Sequence, residues 1–326
     1  MTALLSAWSL LLAAGCGAQG PAGPLEVKFG HVGAPGSLFA QSAEEFAARA
    51  NARLGETAQV VVYGSSQLGG DDVLLQKLKL GTVDLALPST IMSSQIDAFG
   101  IFEMPYLVQD REHMGRIEEE IVWPTLVPLA EADGYRIIGV WENGFRHISN
   151  NVRPIMTPDD LAGIKLRTPR GIWRVKLFQR FGANPTPMPL SEVFIALQTG
   201  VMDGQENPIA QIHASKLHEV QEFLSLTGHV YTPAFLTASA IHWAKLPPDV
   251  RQILEEEARA VQGFVYETGA SLDKDLVEAI AATGVQVNRA DRASFLEASQ
   301  TIFDEFSATV PIGKSLIERA LPLAYR

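Results

Sequence analysis

Residues 182–208 read GANPTPMPLSEVFIALQTGVMDGQENP. Within this stretch, residues 191–199 predict a helix, because Ser191 and Glu192 are typical of a helix start and Gly200 follows as a stop signal. Asn207 stands directly before Pro208 and is therefore restricted to extended backbone. The stretch thus predicts a helix followed closely by an extended segment.

Short strands and helices also alternate on both sides of this stretch. Toward the N-terminus the pattern predicts strands at residues 25–31, 60–63 and 83–87, helices at 37–54 and 71–80, and a loop, GSSQLGG, at 64–70. A second unit of the same kind begins near Arg146, with a strand at 165–168 and a helix at 173–181. Such alternation predicts an α/β fold with a parallel or mixed sheet that is covered by helices.

A long helical pattern follows these two units. Residues 236–241 return to strand character, and residues 247–283 are mostly strong helix formers. A continuous helix of about 36 residues would be about 54 Å long, with Gly263 or Gly269 as places where it could break. A helix of that length can lie across two domains. Because no flexible linker separates the two units, we expect the chain to cross between the domains more than once.

Size and composition limit the classes of protein to consider. The 326 residues are 47% hydrophobic and 19% charged, which is typical of a globular protein of one large or two ordinary domains. The net charge of -11 argues against a nucleic-acid partner, because phosphate contacts need a basic surface. The only cysteine is Cys16, which excludes an intramolecular disulfide and a zinc site built on cysteines.

The N-terminus has the features of an export signal. No charged residue precedes Glu26, and the first 16 residues, MTALLSAWSLLLAAGC, are apolar and end on small residues and the cysteine. The apolar run is shorter than the roughly 20 residues of a membrane span. Because residues 12–16 resemble a bacterial lipobox, we expect residues 1–24 to be a leader and Cys16 to be lipidated, with an ordinary secretory signal as the alternative.

Motifs of catalysis and of cofactor binding are absent from the sequence. The seven histidines are scattered and form no HExxH motif, and there is no nucleophile elbow, no phosphate-binding loop with its lysine and no dinucleotide fingerprint. The acidic runs at residues 118–120 and 255–257 are interpreted as solvated helix faces. We therefore expect no enzyme activity, no cofactor and no metal.

One cationic stretch stands out in this acidic chain. Residues 161–191 contain no acid and six cations, which are Lys165, Arg167, Arg170, Arg174, Lys176 and Arg180. Arg174 and Lys176 are expected to reach solvent from the predicted helix. Arg167 ends the predicted strand, and ligands of open α/β sheets bind beyond strand ends. Its guanidinium fork matches a carboxylate, although pairing with a surface acid is the alternative.

At this point the chain resembles the solute-binding proteins of tripartite ATP-independent periplasmic (TRAP) transporters, the DctP-like family. Residues 182–208 carry the strongest match, supported by GSSQLGG with LKLGTVDLA, MPYLV from Met104, Gly144-Phe145-Arg146 with Ile148-Ser149-Asn150, and TPDDLAGIKLRTP from Thr157. The resemblance implies a fold like that of type II periplasmic binding proteins. Two α/β domains flank a ligand cleft and are joined by crossing hinge strands and a long helix. Members close on an organic acid and deliver it to a membrane permease of two subunits, driven by an ion gradient.

The resemblance also implies roles for individual residues. Arg167 clamps the ligand carboxylate, Asn207 holds the same carboxylate, and Arg146 supports the acid end. Asp203 and Glu206 of the same motif are interpreted as turn and cap residues. The rest of the pocket is expected to be lined by Val32, Asp71, Pro88, Ser89, Arg170, Trp173, Leu190 and Tyr231.

The distal part of the pocket leaves several ligands open. Ser89 stands where sialic-acid binders carry a glutamate, which disfavours sialic acid. Arg170 could bind a second carboxylate or a hydroxyl, and Trp173 could stack on a sugar or an aromatic ring. A C4-dicarboxylate or a sugar acid is favoured, and an aromatic or 2-oxo acid remains an alternative.

The expected organisation follows from the resemblance. Domain I is predicted at residues 25–144 and 233–270, and domain II at 145–232 and 271–326. We expect a monomer in the periplasm whose partners are an organic acid and the permease subunits. A receptor that presents its ligand to a sensor kinase is the second hypothesis.

Overall fold

A computed structural model describes residues 23–325. The predicted leader and Cys16 therefore lie outside the described residues, except for residues 23 and 24. The strands of the described chain are β1 (Leu25–Gly30), β2 (Ala58–Tyr63), β3 (Leu85–Ala86), β4 (Tyr135–Asn150), β5 (Lys165–Thr168), β6 (Asn184–Pro187), β7 (Gly204–Pro208), β8 (Phe223–Ser239) and β9 (Gln286–Arg289).

Helices cover the sheet. They are α1 (Leu38–Leu54), α2 (Asp71–Leu80), α3 (Arg111–Ile117), α4 (Val127–Ala132), α5 (Ile172–Arg180), α6 (Leu190–Gln198), α7 (Ile209–Ala214), α8 (Ala240–Trp243), α9 (Pro248–Ala260), α10 (Gln262–Ala282), α11 (Arg292–Thr309) and α12 (Gly313–Ala320). Shorter 3₁₀ turns lie at Thr90–Ser94, Asp97–Glu103, Pro158–Leu161, Leu217–Val220 and Leu321–Tyr325, and Glu118–Leu126 forms π-helical turns. Between residues 23 and 325, no helix has both the length and the apolar character needed to cross a bilayer.

The strands form one mixed sheet in the order β2-β1-β3-β8-β4-β7-β5-β6, with β9 beside β8. Parallel pairs occur at both ends, where β1 joins β2 and β3, and β5 joins β6 and β7. The antiparallel pair β4–β8 connects these two ends. At 16 and 17 residues, β4 and β8 are far longer than the usual strand of about 5–6 residues, so each contributes to both halves of the sheet. The predicted mixed α/β fold is confirmed.

Strand β4 is irregular near its middle. Its register against β8 shifts between Glu142 and Gly144 and again between Arg146 and Ile148. An extra residue in one strand bends it and increases its twist, so the sheet changes direction here. Gly144, whose φ of 118° favours glycine, pairs with Thr232 at this point. The predicted domain boundaries at 144/145 and 232/233 coincide with this bend and remain a prediction.

The long helical pattern is divided in two. Helix α9 ends at Ala260 and α10 begins at Gln262, so the two helices adjoin at Val261, and neither Gly263 nor Gly269 marks the boundary. Val261 is fully buried and keeps helical hydrogen bonding, since its amide donates to the backbone oxygen of Glu257 at 3.0 Å and its own oxygen accepts from Val265 at 3.0 Å. Helix α10 alone packs on α1 and β4 in the first half and on α7 and β9 in the second. The expectation of a helix that spans both halves therefore holds for the 21 residues of α10.

The acidic runs are less exposed than expected. Glu118 is buried and accepts hydrogen bonds from Trp123 Nε1 at 2.8 Å and from Gln262 Nε2 at 2.5 Å. Glu257 is also buried and pairs with Arg53 at 2.7 Å. The interpretation as solvated faces is wrong for these two residues, because partners distant in sequence satisfy their carboxylates.

Glycine is required at one position of β7. A Cβ atom at Gly204 would lie 2.5 Å from the backbone oxygen of Ser149 on β4, so Gly204→Ala forces the two strands apart. We expect the free energy of unfolding to fall by about 2–3 kcal/mol, which is typical of overpacking. The measurement is urea denaturation followed by circular dichroism. The matched control is Gly263→Ala, which meets no atom within 4 Å and should leave stability unchanged or raise it by about 0.5 kcal/mol. Equal stability of the two variants would contradict this account.

Candidate functional site

A cavity lies where the first turns of α2 and α6 face the strands β4, β5 and β7. It contains about 630 Å³ of space free of protein atoms, part of it open to solvent. Eight of the residues predicted from the sequence line it together, although they are spread over 176 positions: Val32, Asp71, Ser89, Arg146, Arg167, Arg170, Leu190 and Asn207. The fold therefore collects most of the predicted site at one place.

Three predicted residues lie outside this lining. Trp173 is only 2% exposed and packs edge-to-face on Phe306, with 5.2 Å between ring centroids, so it offers no stacking surface to a ligand. The buried Tyr231 hydroxyl donates to Glu142 Oε2 at 3.2 Å. The backbone oxygen of Pro88 accepts from the amide of Phe235 at 2.8 Å. Core packing and a buried hydrogen bond hold Trp173 and Tyr231, and Pro88 is not in the cavity wall, which corrects the predicted place of all three in the pocket.

Other lining residues were not predicted. Asn143 stands directly before the Gly144-Phe145-Arg146 motif, and this proximity was the available signal. Phe39 reads as a core residue of an amphipathic helix, so nothing in its pattern points to a cavity. The remaining ones are Asp72, Thr90, Ile91, Pro169, Pro189 and Gln211.

Arg167 is the central cation of the cavity. Its side chain is 3% exposed, and Nε and Nη2 donate to the backbone oxygen of Met188 at 2.9 and 2.5 Å. No carboxylate of residues 23–325 lies within 4.0 Å of it, and Nη1 donates to no protein atom in that range. Burial and the charge of Arg146 lower the pKa of Arg167 to about 10, so it stays charged at neutral pH. The alternative that Arg167 pairs with a surface acid is wrong.

Arg146 has a different environment, since its charge is already balanced. Its Nε and Nη2 donate to the two carboxylate oxygens of Glu206 at 2.5 and 2.9 Å, and Nη2 also donates to Asn207 Oδ1 at 3.0 Å. The amide of Asn207 is fixed further by its donation to Gln205 Oε1 at 2.6 Å. Arg146 thus orients Asn207 toward the cavity while Glu206 holds Arg146.

Glu206 is the anchor of a buried ion network. Besides Arg146, Glu206 Oε2 receives Arg174 Nη1 at 2.6 Å and lies 3.1 Å from His229 Nε2. Burial opposes ionisation, but the two arginines hold the pKa of Glu206 well below its usual range. Burial lowers the pKa of His229 to about 4, so the neutral ring donates to Glu206. The interpretation of Glu206 as a cap residue is therefore wrong.

Arg174 does not reach solvent, contrary to the sequence expectation. It is fully buried, and its Nε pairs with Glu103 Oε2 at 2.8 Å. Glu103 ends the turn Asp97–Glu103 of the first half, whereas Arg174 belongs to α5 of the second. The network thus links the two halves. Lys176 pairs with the half-exposed Glu305, and Asp203 keeps its predicted turn role by accepting from the amide of Lys165 at 2.8 Å.

A second charged group of the cavity is Asp71, the first residue of α2. Burial raises its pKa from 3.8 to about 7, a shift that Asp72 increases and Arg167 and Arg146 oppose. Its carboxyl forms no hydrogen bond and no ion pair among the described residues. The adjacent Asp72 pairs at 3.3 Å with Arg170, whose side chain is 59% exposed.

Ser89 offers less to a ligand than its position suggests. Its hydroxyl is buried and donates to the backbone oxygen of Pro233 at 2.6 Å. The oxygen can still accept a hydrogen bond. Ser89 therefore contributes an acceptor to the wall and no charge.

The family described as bacterial extracellular solute-binding protein, family 7 (DctP), matches residues 29–309. The chain belongs to this family. Among curated relatives, it is 30% identical to the C4-dicarboxylate-binding periplasmic protein DctP of Rhodobacter capsulatus, over 94% of this chain and 93% of the relative. It is also 30% identical to the 2,3-diketo-L-gulonate-binding periplasmic protein YiaO of Escherichia coli, over 79% of each chain.

Solved structures of this family share the fold. A sugar-acid-binding protein from Advenella mimigardefordensis in complex with galactonate matches with a TM-score of 0.89 and 30% identity, over 93% of this chain and 98% of that one. A TRAP periplasmic solute-binding protein from Sulfurospirillum deleyianum with bound succinate has a TM-score of 0.88 and 29% identity, over 93% of this chain and 100% of that one. A third structure, a TRAP periplasmic solute-binding protein from Polaromonas bound to D-erythronate, has a TM-score of 0.87 and 31% identity, over 91% of this chain and 98% of that one. The resemblance to TRAP solute-binding proteins and the two-domain fold that it implies are confirmed.

The buried network makes Arg174 a strong determinant of stability. Arg174→Met leaves Glu103 without its cation and Glu206 with one fewer, and loss of one partner of a buried ion pair typically costs about 3–5 kcal/mol. We expect a correspondingly lower melting temperature by calorimetry. The matched control is Arg180→Met, because Arg180 pairs with Glu305 at a half-exposed site. Similar melting temperatures for both variants would argue against the network.

The unpaired Asp71 should make the stability of the unliganded protein depend on pH. Between pH 3.8 and about 7 the folded protein keeps a proton on Asp71 that the unfolded chain has lost. The contribution of Asp71 to the free energy of unfolding therefore falls as pH rises through this window. We expect Asp71→Asn to raise the melting temperature at pH 8 by about 1–3 °C and to change it less at pH 4.5. A larger effect at pH 4.5 would contradict the assignment.

Proposed function

We propose that this protein is the extracytoplasmic receptor of a TRAP transporter and that it captures a small organic acid through Arg167. The observation that carries the proposal is a buried guanidinium with no carboxylate of residues 23–325 within 4.0 Å of it. A buried charge without a partner is costly, and a ligand carboxylate removes that cost. The ligands bound to the similar structures, galactonate, D-erythronate and succinate, all carry carboxylates.

The geometry supports a carboxylate held from two sides. Arg167 Nη1 is free to donate, while Met188 fixes the orientation of the guanidinium through the other two nitrogens. The second amide hydrogen of Asn207 supplies another donor, since its first is used by Gln205. Arg146 adds positive charge without leaving Glu206. Hydrogen bonds to charged groups contribute about 1.5–3 kcal/mol each.

The two halves of the fold meet over the cavity, which supports closure around the ligand. Asp72 on α2 belongs to the first half and Arg170, after β5, to the second, and their ion pair crosses the cleft. Closure excludes water and strengthens the contacts to the carboxylate. We propose that the closed, loaded protein docks as a monomer to the permease subunits and releases the acid there without chemical change.

The place of action follows from the same proposal. The family is one of bacterial extracellular solute-binding proteins, and its relative DctP of Rhodobacter capsulatus is a periplasmic protein. The apolar leader at residues 1–24 supports export, and lipidation of Cys16 would keep the receptor at the membrane surface. A C4-dicarboxylate or a sugar acid is the ligand class that the relatives favour.

Arg167→Ala tests the clamp. We expect it to weaken binding of the acid at least about hundredfold, because the ligand carboxylate loses both the positive charge of the guanidinium and its charge-assisted hydrogen bonding. Isothermal titration calorimetry with D-erythronate, galactonate and succinate measures the effect. The control Arg180→Ala removes the same charge from the same cationic stretch, outside the cavity, and should stay within about threefold of wild type. Unchanged affinity in Arg167→Ala would overturn the proposed function.

A further inference from the structure

The cavity holds an unpaired acid as well as an unpaired cation. Asp71 lines the same space as Arg167, and its carboxyl has no hydrogen-bond partner in the part of the chain that the structure describes. The charges of Arg167 and Asp71 act on each other, because each shifts the pKa of the other. A ligand that carries a carboxylate at one end therefore meets Asp71 along its length or at its other end.

The residues that hold Arg167 and Asp71 lie close to each other across the cavity. Arg167 is fixed by the backbone oxygen of Met188, and Pro189 follows directly. Pro189 faces the start of α2, since a methyl group at Gly70 would lie 3.8 Å from Pro189 Cβ. Asp71 is the next residue after Gly70. The residues that hold the clamp thus lie against the turn that carries the unpaired carboxyl.

The balance of buried charge favours a monoanion. Three buried arginines, Arg146, Arg167 and Arg174, face two buried glutamates, Glu103 and Glu206. Their formal charges leave one positive charge while Asp71 is protonated and none once Asp71 is ionised, so the site can balance at most one ligand carboxylate. Asp72 and Arg170 already neutralise each other at the cleft edge. A second ligand carboxylate would find no buried cation left and would stand near Asp71.

A hydroxyl group fits the unpaired carboxyl better. It donates to an ionised carboxylate and accepts from a protonated one, so it satisfies Asp71 in either state. Both states matter, because burial raises the pKa of Asp71 to about 7. Asp71 is half-buried in the unliganded protein, and a ligand that covers it without offering a hydroxyl leaves the carboxyl desolvated and unpaired, so the site rejects such analogues.

We propose that Asp71 is the residue that selects the ligand, accepting hydrogen bonds from hydroxyl groups and rejecting a second carboxylate. The ligand class is then a hydroxylated monocarboxylate, an aldonate-type sugar acid, and not a C4-dicarboxylate. This assignment rests on the proposed function, since it places the ligand carboxylate on Arg167.

The test compares acids of equal chain length that differ at the far end. D-Erythronate, succinate, butyrate and 4-aminobutyrate share four carbons, and galactonate and galactarate form a longer pair. Calorimetry at pH 8 keeps Asp71 ionised. In both lengths we expect the hydroxylated monocarboxylate to bind at least tenfold tighter than the diacid, and erythronate at least tenfold tighter than butyrate. Tighter binding of a diacid, of butyrate or of 4-aminobutyrate than of erythronate, or binding of none of the six acids, overturns the assignment.

Two variants assign the effect to one residue. Asp71→Asn should reduce the ratio of erythronate to succinate affinity at least tenfold, because it removes both the acceptor charge and the repulsion. Asp97→Asn is the matched control, since it removes the same charge from an exposed position outside the cavity and should change the ratio less than threefold. Equal effects of the two variants would show a general charge effect and overturn the role of Asp71. The melting temperature of each variant verifies that it is folded.

The experiments distinguish failure of the carboxylate clamp at Arg167 from failure of ligand selection by Asp71. If Arg167→Ala binds erythronate as wild type does, the carboxylate clamp is wrong and the proposed function fails with it. If Arg167→Ala abolishes binding but Asp71→Asn leaves the affinity ratio unchanged, only the selection by Asp71 fails. If Arg170→Gln removes a preference for succinate, Arg170 reads a second carboxylate and the selection by Asp71 is wrong.

Discussion

The ionised Glu206 between Arg146 and Arg174 determines how the site is built. This buried carboxylate fixes Arg146 on β4, and through Arg146 it orients Asn207. Through Arg174 it fixes α5, and Arg174 in turn reaches Glu103 of the other half. The low pKa of Glu206 shows that the two cations outweigh the cost of burial. Pairing offsets the cost of burying these charges, so the three elements hold one another in place.

The same network explains why Arg167 is available to a ligand. Arg146 and Arg174 pair with both nearby glutamates, and the backbone oxygen of Met188 is the only acceptor of Arg167 in the described part of the chain. Its lowered pKa reflects burial and the neighbouring Arg146. A net charge of -11 over the whole chain says nothing of this local excess of positive charge. The whole chain is acidic, while buried arginines line the cavity.

Residues predicted for the site line the cavity where a motif fixes both the residue type and its strand. Arg167 at the end of β5 and Asn207 beside Pro208 are such positions, and both line the cavity. The prediction failed where partners come from distant elements. Arg174 looked like a solvent-exposed helix cation, because nothing in its neighbourhood shows that Glu103 and Glu206 converge on it. Trp173 looked like a stacking platform, because its packing on Phe306 joins residues 133 positions apart.

The sequence by itself determined the alternation of strands and helices, the family and the residue types of the proposed carboxylate clamp. These properties depend on local spacing and on motifs that act through a few neighbouring residues. Only the tertiary structure decided that α9 and α10 adjoin at the buried Val261 and not at a glycine. It also decided which arginine stays unpaired and that Asp71 faces it. Pairing and burial are set by residues brought together from both halves of the sheet, and no local pattern records them.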